Sequence, residues 1–432
     1  MTDIYEIAEY TLEALKKSGA DAAQCIVSKS KKDELNVDGG KFSLMRSTFN
    51  TNISMKAIKD GKKGVTSINQ ATKEAIDEAA DQCISAAQSS VPDEAEQIAP
   101  FTAKAEYKTG VFEPELDKLF DRIEEFMNQT AAEYPKIILE QLISDYEHSE
   151  KLYMNTNGTS LKYEHGEYSF NTMFSAHEGE KASSFNGYFC ALDSLDKPFM
   201  DAGMQRQLLA ESEKQLDTVS PSEKFVGRVI YSPDCFNELL QTALENFASS
   251  GVLIDGTSPW KDALNTKVAS EKLNLRSVPL DGRTVVGQRF TSDGYPVEDM
   301  DIIIDGVLKT FILSQYGANK TGFPRSLNSG NNLEVLPGDK ALEEMISGID
   351  RGLIVNRFSG GQPSSNGDFS GVAKNSFLIE NGKVVSAVSE TMISGNIIDM
   401  LNNIVAVSKE QTTDGLSFMP WAEFDGVTVS GK

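Results

Sequence analysis

Apolar and polar positions divide the chain into helical and extended stretches. Ile4, Ile7, Ala8, Leu12 and Leu15 recur at helical spacing behind a capping Asp3, and Gly19 stops the run. QCIVSKS, KFSLMRS and TNISMKAIKDG then alternate as strands, with a turn at Asp60-Gly61 and a further strand into VTSI. A second helix is predicted from about Thr72 to Gln88, apolar at Ile76, Ala80, Cys83, Ile84 and Ala87. Residues 89–110 have no period and contain prolines, which reads as a linker or wrapping segment.

Leu116, Leu119, Phe120, Ile123, Phe126 and Met127 define another helical face after Pro114. IILEQLISDY, the hairpin KLYMNTNGTSLKYE turning on Asn157-Gly158, EYSFNTMFSAHE and SFNGYFCALD read as strands. A polar helix is predicted from about Met204 to Val219, and the break at 220–225 opens a third unit. Its first helix is capped by Ser232, with Pro233 at the first position. In FNELLQTALENF (236–247) the apolar stripe is Phe236, Leu239, Leu240, Ala243, Leu244 and Phe247. The other face holds Asn237, Glu238, Gln241, Thr242, Glu245 and Asn246. Further on, Asp281-Gly282, Asp293-Gly294, Asp305-Gly306 and Asn381-Gly382 imply hairpins of a sandwich or barrel, interrupted by helical patches at 339–350 and 396–407. The expected fold class is α+β, with small N-terminal α/β layers followed by a β-rich C-terminal domain. The expected units are an N-terminal α+β domain at 1–88, a linker and central α+β domain at 89–224, and the β-rich domain at 225–432.

Length agrees with two or three domains, since 432 residues exceed one ordinary core. Charge narrows the partners. With 41 basic against 64 acidic residues the net charge is −23, which disfavours nucleic acid and anionic lipid. Cys25, Cys83, Cys190 and Cys235 are far apart with no CxxC pair, the pattern of a reducing compartment. The N-terminus opens an acidic helix instead of a secretory signal, and no apolar run approaches the ~18 residues of a membrane span. Cytoplasmic location is the expectation.

Candidate chemistry is scarce. His148, His165 and His177 each lie close to a glutamate, yet without HExxH spacing; solvated strand or loop positions are expected for them. No histidine follows His177 and no cysteine follows Cys235, so a Ser–His–Asp or Cys–His site cannot be built in the C-terminal unit. GDFSG (367–371) lacks nucleophile-elbow spacing, GKKGVTS (61–67) lacks a phosphate-loop ending, and SGGQPSSNGDFSG (359–371) lacks a dinucleotide fingerprint. Glu298, Asp299 and Asp301 are read as solvated carboxylates.

Several blocks resemble the TldD/PmbA family, specifically its TldE (PmbA) branch. They include GADAAQCIVSKS and DGGKFSLMRSTFNTNISMKAIKDGKKGVTS near the N-terminus. Closer still are SVPLDGRTVVGQRFTSDGYPVEDMDIIIDGVLKTFILSQYGANKTG, NLEVLPGDKALEEMI, GDFSGVAKNSFLIENGKVVSAVSETMISGNIIDMLNNIVAV and FDGVTVSGK. The resemblance implies that 225–432 is equivalent to a metalloprotease domain. In the TldD branch that domain is a zinc peptidase with HExxxH on a helix and a distal cysteine. TldE-type chains pair with it, and the pair degrades unstructured peptides, including leader segments and an antitoxin. The older label "modulator of DNA gyrase" belongs to the same family, though the acidic charge gives no support for DNA contact.

By this resemblance Gln241 stands where the first histidine would be, Thr242 for the glutamate and Asn246 for the second histidine. The distal cysteine would fall near Asp414–Pro420, where none exists. Amide oxygens compete poorly for zinc, and a threonine cannot act as the water-activating base. Positions five apart on a regular helix also diverge by ~140°. The resemblance therefore implies a subunit with no catalytic residue and no metal or cofactor of its own, zinc being expected in a TldD-type partner. It implies a heterodimer with that partner or a homodimer, and extended peptides as ligands. Gly360, Gly361, Asp368, Ser370, Gly395 and Asn396 are candidate peptide-cleft positions. The alternatives are a homodimeric peptide-binding protein with no enzyme partner, or a peptidase of unrecognised chemistry.

Overall fold

The computed structural model describes residues 1–221, 223–389 and 391–431. Asp3 accepts hydrogen bonds from the amides of Tyr5 and Glu6 and so starts α1 (Ile4–Lys17), whose Ile7, Ala8 and Leu15 are fully buried. Three antiparallel strands follow: β1 (Ala22–Asp38), β2 (Lys41–Lys59) and β3 (Lys62–Ile68). The β2–β3 connection is tight because Asp60 and Gly61 both take positive φ, 53° and 70°. Thr72 caps α2 (Lys73–Ser89) through a bond from the Ala75 amide. This helix lies so close to β3 that a Cβ at Gly64 would overlap the Cys83 carbonyl oxygen.

The expected linker is partly a strand. Residues 104–110 form β4 (Lys104–Gly110), which runs parallel to β6 (Ser160–Glu178) at the sheet edge. Between them come α3 (Leu116–Glu133) and β5 (Ile137–Asn155). β5 and β6 form one hairpin of two 19-residue strands around Asn157-Gly158, where shorter separate strands were expected. β7 (Lys181–Ala182) and β8 (Asn186–Leu192) pair with β6. Because β1 also pairs with β5, the first ninety or so residues and the central segment share one sheet, ordered β3-β2-β1-β5-β6-β4.

One face of this sheet carries helices. α1 and α2 cover one end, around Cys25, Ile53, Ile76 and Leu152. α3 covers the other, around Leu35, Leu142, Phe126 and Phe170. The opposite face looks toward the C-terminal part. The predicted polar helix at 204–219 is realised as the shorter α4 (Gln205–Lys214), after which β9 (Thr218–Val219) begins.

The C-terminal part is β-rich, as the density of turn residues predicts. β10 (Phe225–Tyr231) leads into α5 (Pro233–Ala248) and the short α6 (Ser250–Ile254). Then come β11 (Leu275–Ser277), β12 (Met300–Ile304), β13 (Val307–Leu308), α7 (Gln315–Thr321) and β14 (Leu333–Val335). α8 (Leu342–Ser347), β15 (Arg351–Val355), β16 (Arg357–Gly360), β17 (Asp368–Lys374), β18 (Ser376–Glu380), β19 (Lys383–Val388) and β20 (Thr391–Asn396) follow. The chain ends with α9 (Ile397–Asn402), β21 (Ile404–Thr413) and β22 (Phe418–Ser430). These strands form one branched, mixed 14-stranded sheet with β22 near its centre. The predicted helical patch at 396–407 is helical only through Asn402, because Ile404 onward pairs with β22.

α5 packs its apolar stripe against this sheet. Phe236, Ala243 and Phe247 are essentially inaccessible, and the Phe236 ring lies edge-on to Phe424 at 5.7 Å. Ser232 occupies the cap position, but its hydroxyl donates to the Asn356 carbonyl oxygen instead of receiving a helix amide.

Candidate functional site: a polar cleft between the sheet and helix α5

Strand alternation builds the floor of a cavity of about 900 Å³. Cross-strand register places Asn52 opposite Ser28, Ser28 opposite Lys151, and Lys151 opposite Tyr163. Asn50, Ser30 and Ser149 form the next row on the same face. The floor is thus a strip of hydroxyl and amide groups with Lys151 and Glu147 among them. The exposed face of α5 forms part of the opposite wall with Asn237, Gln241 and Glu245, spaced four residues apart and so stacked on one side of the helix. Loops at 286–290, 329–332 and 414–417 add to the wall.

The structure separates the three positions compared with a metal helix. Gln241 faces the cleft and shares it with Asp414, Leu416 and Ser417, the stretch expected to hold the distal ligand. Thr242, one residue on, lines a different cavity of about 260 Å³, and its hydroxyl donates to the Glu238 carbonyl oxygen. Asn246 lines neither. A zinc site does not fit these side chains: the donors at the cleft are amides and carboxylates, and among the described residues no three His, Cys, Asp or Glu converge.

The other candidate positions gather on the far side of α5. Gly360 and Gly361 line the 260 Å³ cavity with Thr242, Phe358 and Phe369. Asn396 donates to Asp368 Oδ1 at 2.9 Å, and Asn366 to Asp368 Oδ2 at 3.0 Å, which holds the Asp368 carboxyl below its usual pKa. Ser370 and Gly395 sit in the β17–β20 ladder. These six positions form one local group, but none lines the large cleft.

Histidine expectations need one correction. His165 is buried, not solvated: Nδ1 lies 2.8 Å from the Thr109 hydroxyl and Nε2 3.0 Å from Glu167. His148 pairs with Glu164 and His177 contacts Ser175, so the three have separate partners. Asp301 is bound by Arg276, and Asp299 accepts from the Leu280 amide.

Sequence reasoning missed the carboxylates at the start of α5. Asp234 remains solvent-accessible but sits in a recess beside Tyr188 and Asp414. Low solvation and the Asp414 charge push its carboxyl up to about 6. Glu238 is also raised by burial, partly offset by Arg357. A polar face wider than solvation requires was the available signal.

These features define a class: a β-rich C-terminal domain whose exposed helix face, together with a long-stranded N-terminal sheet, encloses a peptide-sized polar cleft. Residues 224–431 match the PmbA/TldA metallopeptidase C-terminal domain, and residues 23–87 match domain 1 of the same group. The chain belongs to the PmbA/TldD family. It is 32% identical over 155 residues to metalloprotease PmbA of Escherichia coli O157:H7, covering 35% of this chain and 34% of that one. It is 28% identical over 220 residues to a zinc metalloprotease TldD homolog of Saccharolobus solfataricus, covering 47% and 49%. Those alignments span about a third to a half of the relatives' lengths. The fold is similar to the crystal structure of TldE from Thermococcus kodakarensis, with TM-score 0.82 and 22% identity over 98% of this chain and 100% of that one.

Proposed function

We propose that this chain is a non-catalytic, TldE-type subunit of a metallopeptidase, and that its cleft receives extended segments of unstructured peptides. The carrying observation is the face α5 turns to the cleft. Gln241 and the Asp414–Ser417 loop meet there, and neither supplies a zinc donor of the imidazole or thiolate kind. A strip of hydroxyls and amides suits an extended backbone, which needs hydrogen-bond partners and no catalytic group from this chain. Zinc and the water-activating base would come from a TldD-type partner.

The outer edge of β2 supports a partner. β3 pairs with residues 53–59 of β2, so among the described residues Lys41–Asn52 have no strand partner on that edge. Met45 and Phe49 are 72% and 74% exposed along it. Co-purification with a HExxxH-bearing family member is the test: mixed dimers should cleave a peptide that neither chain cleaves alone. Cleavage by this chain alone, or stable homodimers that never exchange with such a partner, would refute the proposal.

A further inference from the structure

Two cations in the cleft have no carboxylate partner among the described residues. Lys151 and Tyr163 are cross-strand neighbours on the floor, and Arg289 and Phe290 are consecutive in the facing loop. The Lys151 ammonium lies 5.7 Å from the Phe290 ring centroid, and the Arg289 guanidinium 5.6 Å from that of Tyr163. Both cations thus converge on one pair of aromatic rings.

Nearby acids are already engaged. Glu147 pairs with Lys32 at 3.0 Å and Glu150 with Lys162 at 2.8 Å. Asp414 accepts from the Leu416 and Ser417 amides. Glu245 lies across the cleft on α5. Two neighbouring cations with no carboxylate beside them repel each other, and an anion between them relieves that repulsion.

The arginine is also held in place. Its Nη1 donates to the Pro279 carbonyl at 2.6 Å and to that of Gln288 at 3.2 Å. A Cβ at Gly287 would overlap the Pro279 oxygen and stand 2.8 Å from Nη1, so only glycine leaves room for this anchor. The Nε and Nη2 donors, which have no hydrogen-bond partner among the described residues, form the planar edge that binds a carboxylate side-on. Burial lowers the Lys151 pKa and no acid offsets it.

We propose that Lys151 and Arg289 form a subsite for a carboxylate of the bound peptide. This rests on the peptide-cleft reading above and adds a preference to it. The carboxylate could be the peptide's C-terminus or an Asp or Glu side chain, and three fluorescein-labelled octapeptides of Gly, Ser and Ala distinguish them. One has a free C-terminus, one is amidated, and one is amidated with a central Glu. Anisotropy titration of the full chain at low salt should show about tenfold weaker binding of the plain amide than of at least one carboxylate peptide. Tighter binding of the free acid identifies the terminus, and of the Glu peptide the side chain. Arg289→Gln and Lys151→Met should each erase the difference, while Arg289→Lys should retain part of it. Equal binding of all three peptides to the unaltered protein overturns the subsite and leaves the cleft reading intact. A preference that survives both neutralising variants does the same. No binding of any peptide, with or without a partner subunit, overturns both.

Discussion

Asp234→Asn isolates the electrostatic cost in the recess at the start of α5. Asp234 is the second residue of α5, where the helix N-terminus favours a negative charge. Its recess and the Asp414 carboxylate act the other way and prevail, raising the pKa from 3.8 to about 6. A carboxyl raised in the folded state adds full stability below pH ~4, and that contribution is lost as pH rises through ~6. Two pKa units correspond to about 3 kcal/mol, and the group's solvent access reduces this to about 1 kcal/mol. Asp234→Asn should therefore raise the thermal midpoint by about 2 °C at pH 7.5, with the gain vanishing at pH 4. Paired melts at pH 4, 5, 6 and 7.5 read the difference directly, cancelling the many other acids common to both proteins. A pH-independent shift, or destabilisation at pH 7.5, would refute the reasoning and show that the helix terminus dominates.

Other outcomes follow from the same geometry. Gln241→His, Thr242→Glu and Asn246→His combined should give no stoichiometric zinc by elemental analysis, because Asn246 does not line the cleft that Gln241 faces and no cysteine stands in 414–420; one equivalent would contradict this. Gly64→Ala should cost about 3 kcal/mol in denaturant unfolding, since the new methyl overlaps the Cys83 carbonyl and must lift α2 from β3. Phe247→Ala empties a fully buried site 5.1 Å from the Trp260 ring and should cost about 3–5 kcal/mol by the same measurement. Met45→Lys with Phe49→Lys should weaken a mixed dimer in sedimentation without altering the melting of the isolated chain.

Much of the fold was legible because local rules and tertiary context agree. The Asp3 and Thr72 caps, the stripe of α5, and the paired positive φ values at Asp305-Gly306 and Asn381-Gly382 all follow from residue type. Asp281-Gly282 misled because neither residue takes positive φ; Asp281 instead caps its own loop by accepting from Arg283. The unbroken length of β5 was hidden by its polar stretch EHSEK (147–151), which breaks the apolar alternation. Glu147, Ser149 and Lys151 line the cleft, so they were free to be polar inside a long strand. The feature that obscured the strand is the one that marks the site. Arg289 and Phe290 could not be found from sequence, since only β-register and loop packing bring them over Tyr163 and Lys151.

The polarity of this cleft bears on why it persists beside a helix that offers no zinc donor. A surface kept only to join two parts of a chain gains most by closing on apolar residues, as Tyr153, Leu161 and Phe290 do immediately beside it. Here the same strands switch within two residues from buried Tyr153 to Lys151, whose partial burial is uncompensated by any carboxylate. The facing wall holds Arg289 in place through the Pro279 carbonyl, and its Nε and Nη2 meet no acceptor among the described residues. The partial burial of the Lys151 ammonium lowers the stability of the chain by itself. These features fit the proposal that the space between α5 and the sheet takes a ligand supplying backbone hydrogen bonds and a negative charge.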